Sequence, residues 1–196
     1  MLVGIGGGFG ASVVTPGHVY HHGWEAIHLG EFSGGITDRL RLVAEVWEKA
    51  GFKVRAFGDI QPLIWGKLMA NVGFSAICTV TGQLVGQVLN DAWAWSIVQG
   101  NVREAFAVAQ AKKILVDCED PVAWVRKFGE RIPNAQPSML HDILAGRRTE
   151  IDSLNGAVVE EAERLGLSAP VNRVMTILVK AVEQKVRKLG KAYGVI

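Results

Sequence analysis

The chain contains 196 residues, 49% of them hydrophobic, which is long and apolar enough to bury one substantial core. Its 21 basic and 19 acidic residues leave a net charge of +2, which gives no reason to expect a nucleic-acid or anionic-membrane partner. Two cysteines without metal-ligand spacing favour free thiols and a cytoplasmic location, and charged or polar residues interrupt the apolar stretches before the ~18 residues of a membrane span.

The first part of the chain combines glycine with β-forming residues and predicts two or three short strands in hairpins. Segments 2–5, 18–21 and 26–29 carry the strand pattern, and Thr15-Pro16-Gly17 supplies a turn. Because an isolated ribbon of this size is marginal in water, we expect these strands to be the end of a sheet whose remainder is absent. Their unpaired edges also predict association, most simply as a homodimer.

The same region contains two patterns that could suggest a cofactor or a metal. Gly6-Gly7-Gly8-Phe9-Gly10-Ala11 fits a loose dinucleotide pattern, but residues 12–17 cannot open the helix that a phosphate-binding turn requires. The adjacent histidines His21 and His22 would point to opposite faces of a strand, and no cysteine or clustered acid joins them. We therefore expect neither a dinucleotide fingerprint nor a metal site here.

From residue 35 onward the sequence predicts a helical domain that covers residues 35–196. The first helix places Leu40 and Trp47 on one apolar face and ends at Gly51, and a short strand at 53–57 follows. Three further helices are predicted over about 60–79, from an N-cap near Asn90 towards Val116, and from Asp120-Pro121 to about Glu130. A short helix is predicted to begin near Ser138. Two more are predicted from Thr149 to a C-cap at Gly166 and from Pro170 onward.

One of these helices carries a polar face with an unusual composition. At 100° per residue, Lys67, Asn71 and Ser75 fall within an arc of about 80°, opposite an apolar stripe. An exposed face usually mixes charges of both signs, whereas this one offers a lysine, an amide and a hydroxyl in a row. The pattern indicates a ligand cleft, and a polar solvent face is the alternative that spacing alone leaves open.

A second polar segment, residues 138–152, interrupts the helices and is followed by Asn155-Gly156. On local grounds Thr149 and Asp152 resemble a capping box, and Glu150 would favour the positive end of a helix. Local capping does not explain why a stretch between two helices should carry so many polar residues.

These motifs resemble ketopantoate reductases, the 2-dehydropantoate 2-reductases, from about Val3 to Glu183. The two most specific segments are Lys67-Leu68-Met69-Ala70-Asn71 and Thr149-Glu150-Ile151-Asp152. The resemblance implies a mainly α-helical bundle like the C-terminal domains of 6-phosphogluconate dehydrogenases, preceded by a short antiparallel β segment. It also implies that residues 1–34 are the terminal strands of an otherwise missing Rossmann domain. The matching segments, in order, are 16–19, 59–60, 65–71, 138–143, 146–147, 149–156, 165–166 and 170–172.

The resemblance also implies roles for individual residues. Lys67 matches the catalytic lysine, Glu150 the acidic residue of the same site, and Asn71 and Ser138 the substrate-binding residues. Ser75 stands where better-known members place a second substrate-binding asparagine, and the stretch after it is shorter than theirs. These departures leave the identity of the keto acid open.

The implied function is reduction of 2-dehydropantoate, or a related small 2-keto acid, with NADP as cofactor in pantothenate biosynthesis. NADP would be bound mainly by the missing N-terminal domain, so we expect the chain alone to be inactive. The main alternative is a non-catalytic helical assembly module or a degenerate paralogue, against which the retained Lys67, Asn71, Ser138 and Glu150 argue. Nucleic-acid binding would rest only on the basic tail.

Overall fold

The structure is a computed structural model that describes residues 1–6, 10–23 and 26–192. It divides into two compact units, Met1–Ile64 and Trp65–Ile196. The strands are β1 (Leu2–Gly6), β2 (Gly10–Thr15), β3 (His18–Gly23), β4 (Ile27–Glu31) and β5 (Val54–Phe57). The helices are α1 (Asp38–Lys49), α2 (Gln61–Thr81), α3 (Val85–Asn90), α4 (Ala92–Ala111), α5 (Pro121–Glu130), α6 (Ser138–Leu144), a 3₁₀ turn (Ile151–Ser153), α7 (Asn155–Arg164) and α8 (Pro170–Ala192). The expected mainly α-helical fold is confirmed.

The first unit contains a three-stranded sheet in the order β1-β4-β5 and a separate ribbon of β2 and β3. The pairs β1–β4 and β2–β3 are antiparallel, and β4–β5 is parallel, with α1 as the crossover that a parallel pair requires. Gly30 allows close packing beneath β4, because a Cβ there would lie 2.6 Å from the Cβ of Ile60. The expected strands are confirmed, although β1 pairs with β4 rather than forming a hairpin with its neighbour. Assignment of residues 1–34 to a Rossmann domain stays a prediction.

A buried carboxylate closes the turn between β4 and α1. Glu31 is 1% exposed and accepts hydrogen bonds from Arg39 Nη2 at 2.6 Å and from the Thr37 hydroxyl at 2.8 Å. Thr37 is also the N-cap of α1, where its hydroxyl accepts from the Leu40 amide. The hydrogen bonds from Arg39 and Thr37 lower the pKa of Glu31 to about 2. Glu31 is therefore a buried anion that fixes the start of the helix.

The second unit is built around α2, which is mostly buried. By length and apolar composition α2 could cross a membrane, but 67% of that stretch is buried inside the structure, as in the core helix of a soluble protein. Two glycines bring neighbouring helices close to it. A Cβ at Gly73 would lie 3.2 Å from both Val102 of α4 and Val125 of α5, and a Cβ at Gly129 of α5 would lie 2.6 Å from the Phe74 ring.

The long helix predicted to start near Asn90 and continue towards Val116 is confirmed as α4, but its cap is Asp91 rather than Asn90 and it ends earlier, at Ala111. Residues 85–90 form α3, and Asp91 is the N-cap of α4, accepting from the Trp93 and Ala94 amides at 2.9 and 3.0 Å. Asp91 adopts an extended backbone, which separates the two helices. At the other end α4 stops at Ala111, and Lys113 has a φ of 58°, a left-handed conformation that no helix can continue through.

The continuous helix predicted from Thr149 to Leu165 is wrong. Leu154, with φ −107° and ψ −98°, separates a 3₁₀ turn from α7. The suggested capping box is absent, because the Thr149 hydroxyl accepts from the Ile151 amide and Asp152 pairs with Arg148 and Lys180. The other helix signals are confirmed: Asp120 caps α5 with proline at its first position, Gly166 has a φ of 68°, and Pro170 opens α8.

Candidate functional site

The polar face of α2 is open at one end and closed at the other. Lys67 is exposed and Asn71 is half-buried, one turn further along the helix. Ser75 is 5% exposed, and its carbonyl accepts a hydrogen bond from the Thr79 hydroxyl at 2.7 Å. The solvent-facing part of this surface is therefore the turn from Lys67 to Asn71, and Ser75 lies where that surface runs into the core.

An aromatic pair lies beside this turn, and sequence reasoning did not predict it. Trp124 and Phe128 of α5 stack with their ring centroids 6.3 Å apart and their planes 9° apart. The Trp124 ring lies against Gly66, where a Cβ would lie 3.7 Å from Cη2, an ordinary van der Waals distance. Lys67 thus follows directly on a residue that packs against an aromatic side chain.

Glu150 sits on a turn that is anchored on both sides. Its neighbours Thr149 and Ile151 are buried, and the Thr149 amide donates to Glu183 Oε1 of α8 at 2.7 Å. The Glu150 carbonyl accepts from the amides of Ser153 and Leu154, which folds the turn back on itself. The Glu150 carboxylate itself is exposed. The anchoring of the backbone combined with an exposed acid is an arrangement suited to ligand contact.

The other charged residues of this segment have structural partners. Asp142 pairs with Arg147 at 2.8 Å. Asp152 pairs with Arg148 at 3.2 Å and with Lys180 of α8 at 2.5 Å, and the Lys180 hydrogen bond is the main cause of a lowered pKa of Asp152. These ion pairs account for much of the polar composition that the sequence left unexplained. Ser138 is exposed at the first position of α6.

A cluster of three buried asparagines lies directly behind the polar face of α2. Asn101 of α4 and Asn155 of α7 both donate from Nδ2 to the Val72 carbonyl, at 3.1 and 3.4 Å. Asn155 Nδ2 also donates to Asn172 Oδ1 of α8 at 2.9 Å. All three side chains are fully buried. We call Asn101, Asn155 and Asn172 the asparagine cluster.

The asparagine cluster continues into a cap on the last helix. Glu104 of α4 accepts from the backbone amides of Val171 and Asn172, both at 2.9 Å, and from Asn172 Nδ2 at 2.8 Å. A carboxylate here satisfies amides at the start of α8 and favours the positive end of its dipole. The cluster was missed at the sequence level. Its available signal was Asn101, a polar residue between the buried Val98 and Val102.

The structure therefore places the candidate residues in two groups. Lys67, Asn71 and Ser75 follow one face of α2, whereas Ser138 and Glu150 belong to segments that pack against α8. The asparagine cluster links the Glu150 turn to α2 at Val72, through Asn155. Convergence of the side chains on one substrate stays a prediction.

Neither a metal nor a dinucleotide is indicated by the described residues. Among residues 1–6, 10–23 and 26–192, no group of three or more His, Cys, Asp or Glu side chains could hold a metal ion. The glycine motif leads into the strand Gly10–Thr15 rather than into a helix, and its residues 7–9 lie outside the described part. The helix N-terminus that would hold a pyrophosphate does not follow this turn.

Comparison with known proteins gives concordant matches. The family described as ketopantoate reductase PanE/ApbA C terminal matches residues 59–183. A 2-dehydropantoate 2-reductase of Archaeoglobus fulgidus is 31% identical over 175 residues, which cover 89% of this chain and 58% of that protein. A PanE/ApbA family ketopantoate reductase from Ralstonia eutropha JMP134 is similar in structure, with a TM-score of 0.83 and 27% identity over 95% of this chain and 59% of the other.

A third match carries the name of a different dehydrogenase. D-mandelate dehydrogenase, in a ternary structure with NADH and anilino(oxo)acetate, has a TM-score of 0.81 and 25% identity over 91% of this chain and 59% of the other. The chain thus spans less than two thirds of the length of each of these proteins.

Proposed function

The chain belongs to the ketopantoate reductase family, whose C-terminal domain it contains, and we propose that it supplies the substrate-binding and proton-transferring half of a nicotinamide-dependent 2-keto-acid reductase. The observation that carries the proposal is the solvent-facing turn of α2, where Lys67 and Asn71 stand together inside the segment that the family matches. The proposed substrate is 2-dehydropantoate or a related small 2-keto acid.

Lys67 has the chemistry that reduction of a ketone demands. Negative charge develops on the carbonyl oxygen as the ketone becomes an alcohol, and an ammonium group held at that oxygen stabilises the charge and donates the proton. Lys67 is exposed, so its ammonium group reaches solvent before substrate binds and can be reprotonated after each turnover. We assign Lys67 as the general acid.

The remaining candidates divide the other tasks. Glu150 carries an exposed carboxylate on an anchored turn, and we assign it the orientation of the Lys67 ammonium group or of the nascent hydroxyl. The Asn71 amide and the Ser138 hydroxyl are suitable donors to the substrate carboxylate. Ser75, at 5% exposure, can contribute only at the base of the cleft.

The nicotinamide cofactor does not fit the described residues of this chain. The glycine motif at residues 6–11 leads into a strand rather than into a helix N-terminus, which is the cradle for a dinucleotide pyrophosphate. The Gly34-Gly35 turn does join β4 to the start of α1, but the buried anion Glu31 bonds the N-cap Thr37 there and would repel a pyrophosphate. We expect the cofactor to be held by the part of the relatives' length that this chain does not match. NADP is the expected cofactor, and the NADH complex of D-mandelate dehydrogenase makes NADH the necessary comparison. A cytoplasmic homodimer completes the proposal.

The proposal is tested by restoring the unmatched part. We would join this chain to the N-terminal part of the Archaeoglobus fulgidus relative and follow oxidation of NADPH and NADH with 2-dehydropantoate and with benzoylformate, a phenyl-substituted 2-keto acid. The intact relative serves as the positive control. Turnover that requires the 2-keto acid supports the proposal. A folded fusion protein without turnover on either acid contradicts it and favours the non-catalytic helical module.

A further inference from the structure

We propose that Asn155 is a positioning residue that fixes the turn carrying Glu150 to the turn of α2 carrying Lys67 and Asn71. Its consequence for catalysis rests on the proposed function, whereas its effect on the structure of the turn does not. Asn155 does not touch the solvent-facing surface, because its side chain is fully buried.

The contact with α2 is made next to a candidate substrate-binding residue. Asn155 Nδ2 donates to the carbonyl of Val72, which directly follows Asn71 in the chain, at 3.4 Å. The same amide donates to Asn172 Oδ1 of α8 at 2.9 Å, and Asn172 in turn donates to Glu104 and to the Asn101 carbonyl. Asn155 is thereby held by direct hydrogen bonds to two helices, α2 and α8, and is linked to a third helix, α4, through Asn172.

The link from Asn155 to Glu150 is equally short. The amide of Leu154, the residue before Asn155, donates to the Glu150 carbonyl at 3.1 Å, and the Ser153 amide donates to it at 2.9 Å. On the other side, Gly156 packs so closely that a Cβ there would lie 3.3 Å from the Ile151 carbonyl oxygen. The backbone of Glu150 is therefore tied by two hydrogen bonds to the two residues that precede Asn155, and the residue that follows Asn155 packs against Ile151, the neighbour of Glu150.

The chemical requirement at this position is an amide donor of two hydrogen bonds. The Val72 carbonyl and Asn172 Oδ1 are both acceptors, so an apolar side chain at position 155 would leave Asn172 Oδ1 without its donor in the core. Val72 would keep the Asn101 hydrogen bond at 3.1 Å. Loss of Asn155 therefore frees the Glu150 turn from α2 while the contact between α4 and α2 persists.

Asn101 provides a matched control for a purely structural role. It is as fully buried as Asn155 and its side chain donates to the same Val72 carbonyl, but it lies in the middle of α4. Its link to Asn155 runs through its backbone carbonyl, which accepts from Asn172 and is kept in Asn101→Ala. Substituting either asparagine removes a buried hydrogen bond, and both changes should lower stability. Only the change at Asn155 should alter the turn that carries Glu150.

The first measurement uses this chain itself and does not depend on activity. Hydrogen exchange of the Ser153 and Leu154 amides, which both bond to the Glu150 carbonyl, is compared among the wild type, Asn155→Ala and Asn101→Ala. We expect at least tenfold faster exchange at these amides in Asn155→Ala and little change in Asn101→Ala. Asn155→Leu keeps the branching at Cγ without the donor and replaces the alanine variant if that variant does not fold.

The second measurement uses the fusion protein with 2-dehydropantoate and combines each asparagine variant with Glu150→Gln. We expect Asn155→Ala to lower kcat about tenfold in the wild-type background. It should lower kcat little further when Glu150→Gln is already present, because the first change displaces the Glu150 carboxylate and the second removes its charge. The effects of Asn101→Ala and Glu150→Gln should multiply.

Absence of activity in every protein would refute the proposed function alone, since the exchange data still decide the positioning role. Unchanged exchange at Ser153 and Leu154, equal acceleration in both asparagine variants, or multiplying effects of Asn155→Ala and Glu150→Gln would overturn the inference.

Discussion

Replacement of Gly129 by alanine tests how tightly α5 is packed against α2. Gly129 lies inside α5, where alanine is favoured over glycine by about 1 kcal/mol in helix propensity. Packing opposes this gain, because the new Cβ would lie 2.6 Å from Phe74 Cζ and 3.2 Å from Leu89 Cδ1, and real Cβ contacts below 3.0 Å are essentially never seen. Overpacking costs about 1–3 kcal/mol, and such a short contact belongs in the upper part of that range. We therefore expect a net loss of about 1–2 kcal/mol.

The assay is urea unfolding followed by circular dichroism, with Gly66→Ala as the matched control. Gly66 also lies in a helix, but a Cβ there would meet Trp124 at 3.7 Å, so the propensity gain should persist and the control should be stabilised. Phe74→Leu shortens the ring that causes the clash, and the double variant with Gly129→Ala should recover at least about 1 kcal/mol in a double-mutant cycle. A Gly129→Ala protein as stabilised as Gly66→Ala would refute the packing argument.

Three further predictions concern the first unit and the chain as a whole. Because the folded-state pKa of Glu31 is lowered from 4.5 to about 2, its contribution to stability is present above about pH 4.5 and is lost as the pH falls towards 2. Urea unfolding across this range should show that the free energy of unfolding falls more steeply with decreasing pH for the wild type than for Glu31→Gln. Parallel curves would contradict the assignment of Glu31 as a buried anion. The chain alone should bind neither NADPH nor NADP with micromolar affinity, and a tight one-to-one calorimetric isotherm would be the contrary result. The outer edges of β1 and β5 carry no further strand among the described residues, so light scattering should show a dimer, whereas a stable monomer at high concentration would remove that expectation.

The parts of the fold that the sequence predicted correctly are those determined by local chemistry. Asp120-Pro121 specifies a cap and a first helical residue together, and Gly166 supplies a left-handed C-cap before Pro170. The limits of α2 were predicted within a few residues, because its apolar run is long. Such signals depend only on neighbouring residues, and tertiary contacts do not have to be known.

The errors arose where tertiary contacts decide the backbone. The break at Leu154 is stabilised by contacts of the 3₁₀ turn with α8, including the Thr149 amide to Glu183, a pair separated by 34 residues. The asparagine cluster joins Asn155 to Val72 across 83 residues, so no window of sequence could reveal it. For the candidate site, the resemblance supplied residue roles, whereas the buried position of Ser75 and the anchoring of Glu150 became apparent only from the structure.

The central claim, that α2 carries the proton donor of a 2-keto-acid reductase, is tested most directly by the turnover of Lys67→Ala in the fusion protein. Lys67 is exposed, so its truncation opens no core cavity, and the loss of a surface interaction should change the free energy of unfolding by no more than about 1 kcal/mol. Lys127→Ala, at another exposed lysine near the end of α5, is the matched control. We predict that kcat with 2-dehydropantoate falls about 10²-fold or more in Lys67→Ala and stays near the wild-type value in Lys127→Ala. Near-normal turnover of a folded Lys67→Ala protein on every 2-keto acid that the wild type reduces would contradict the account.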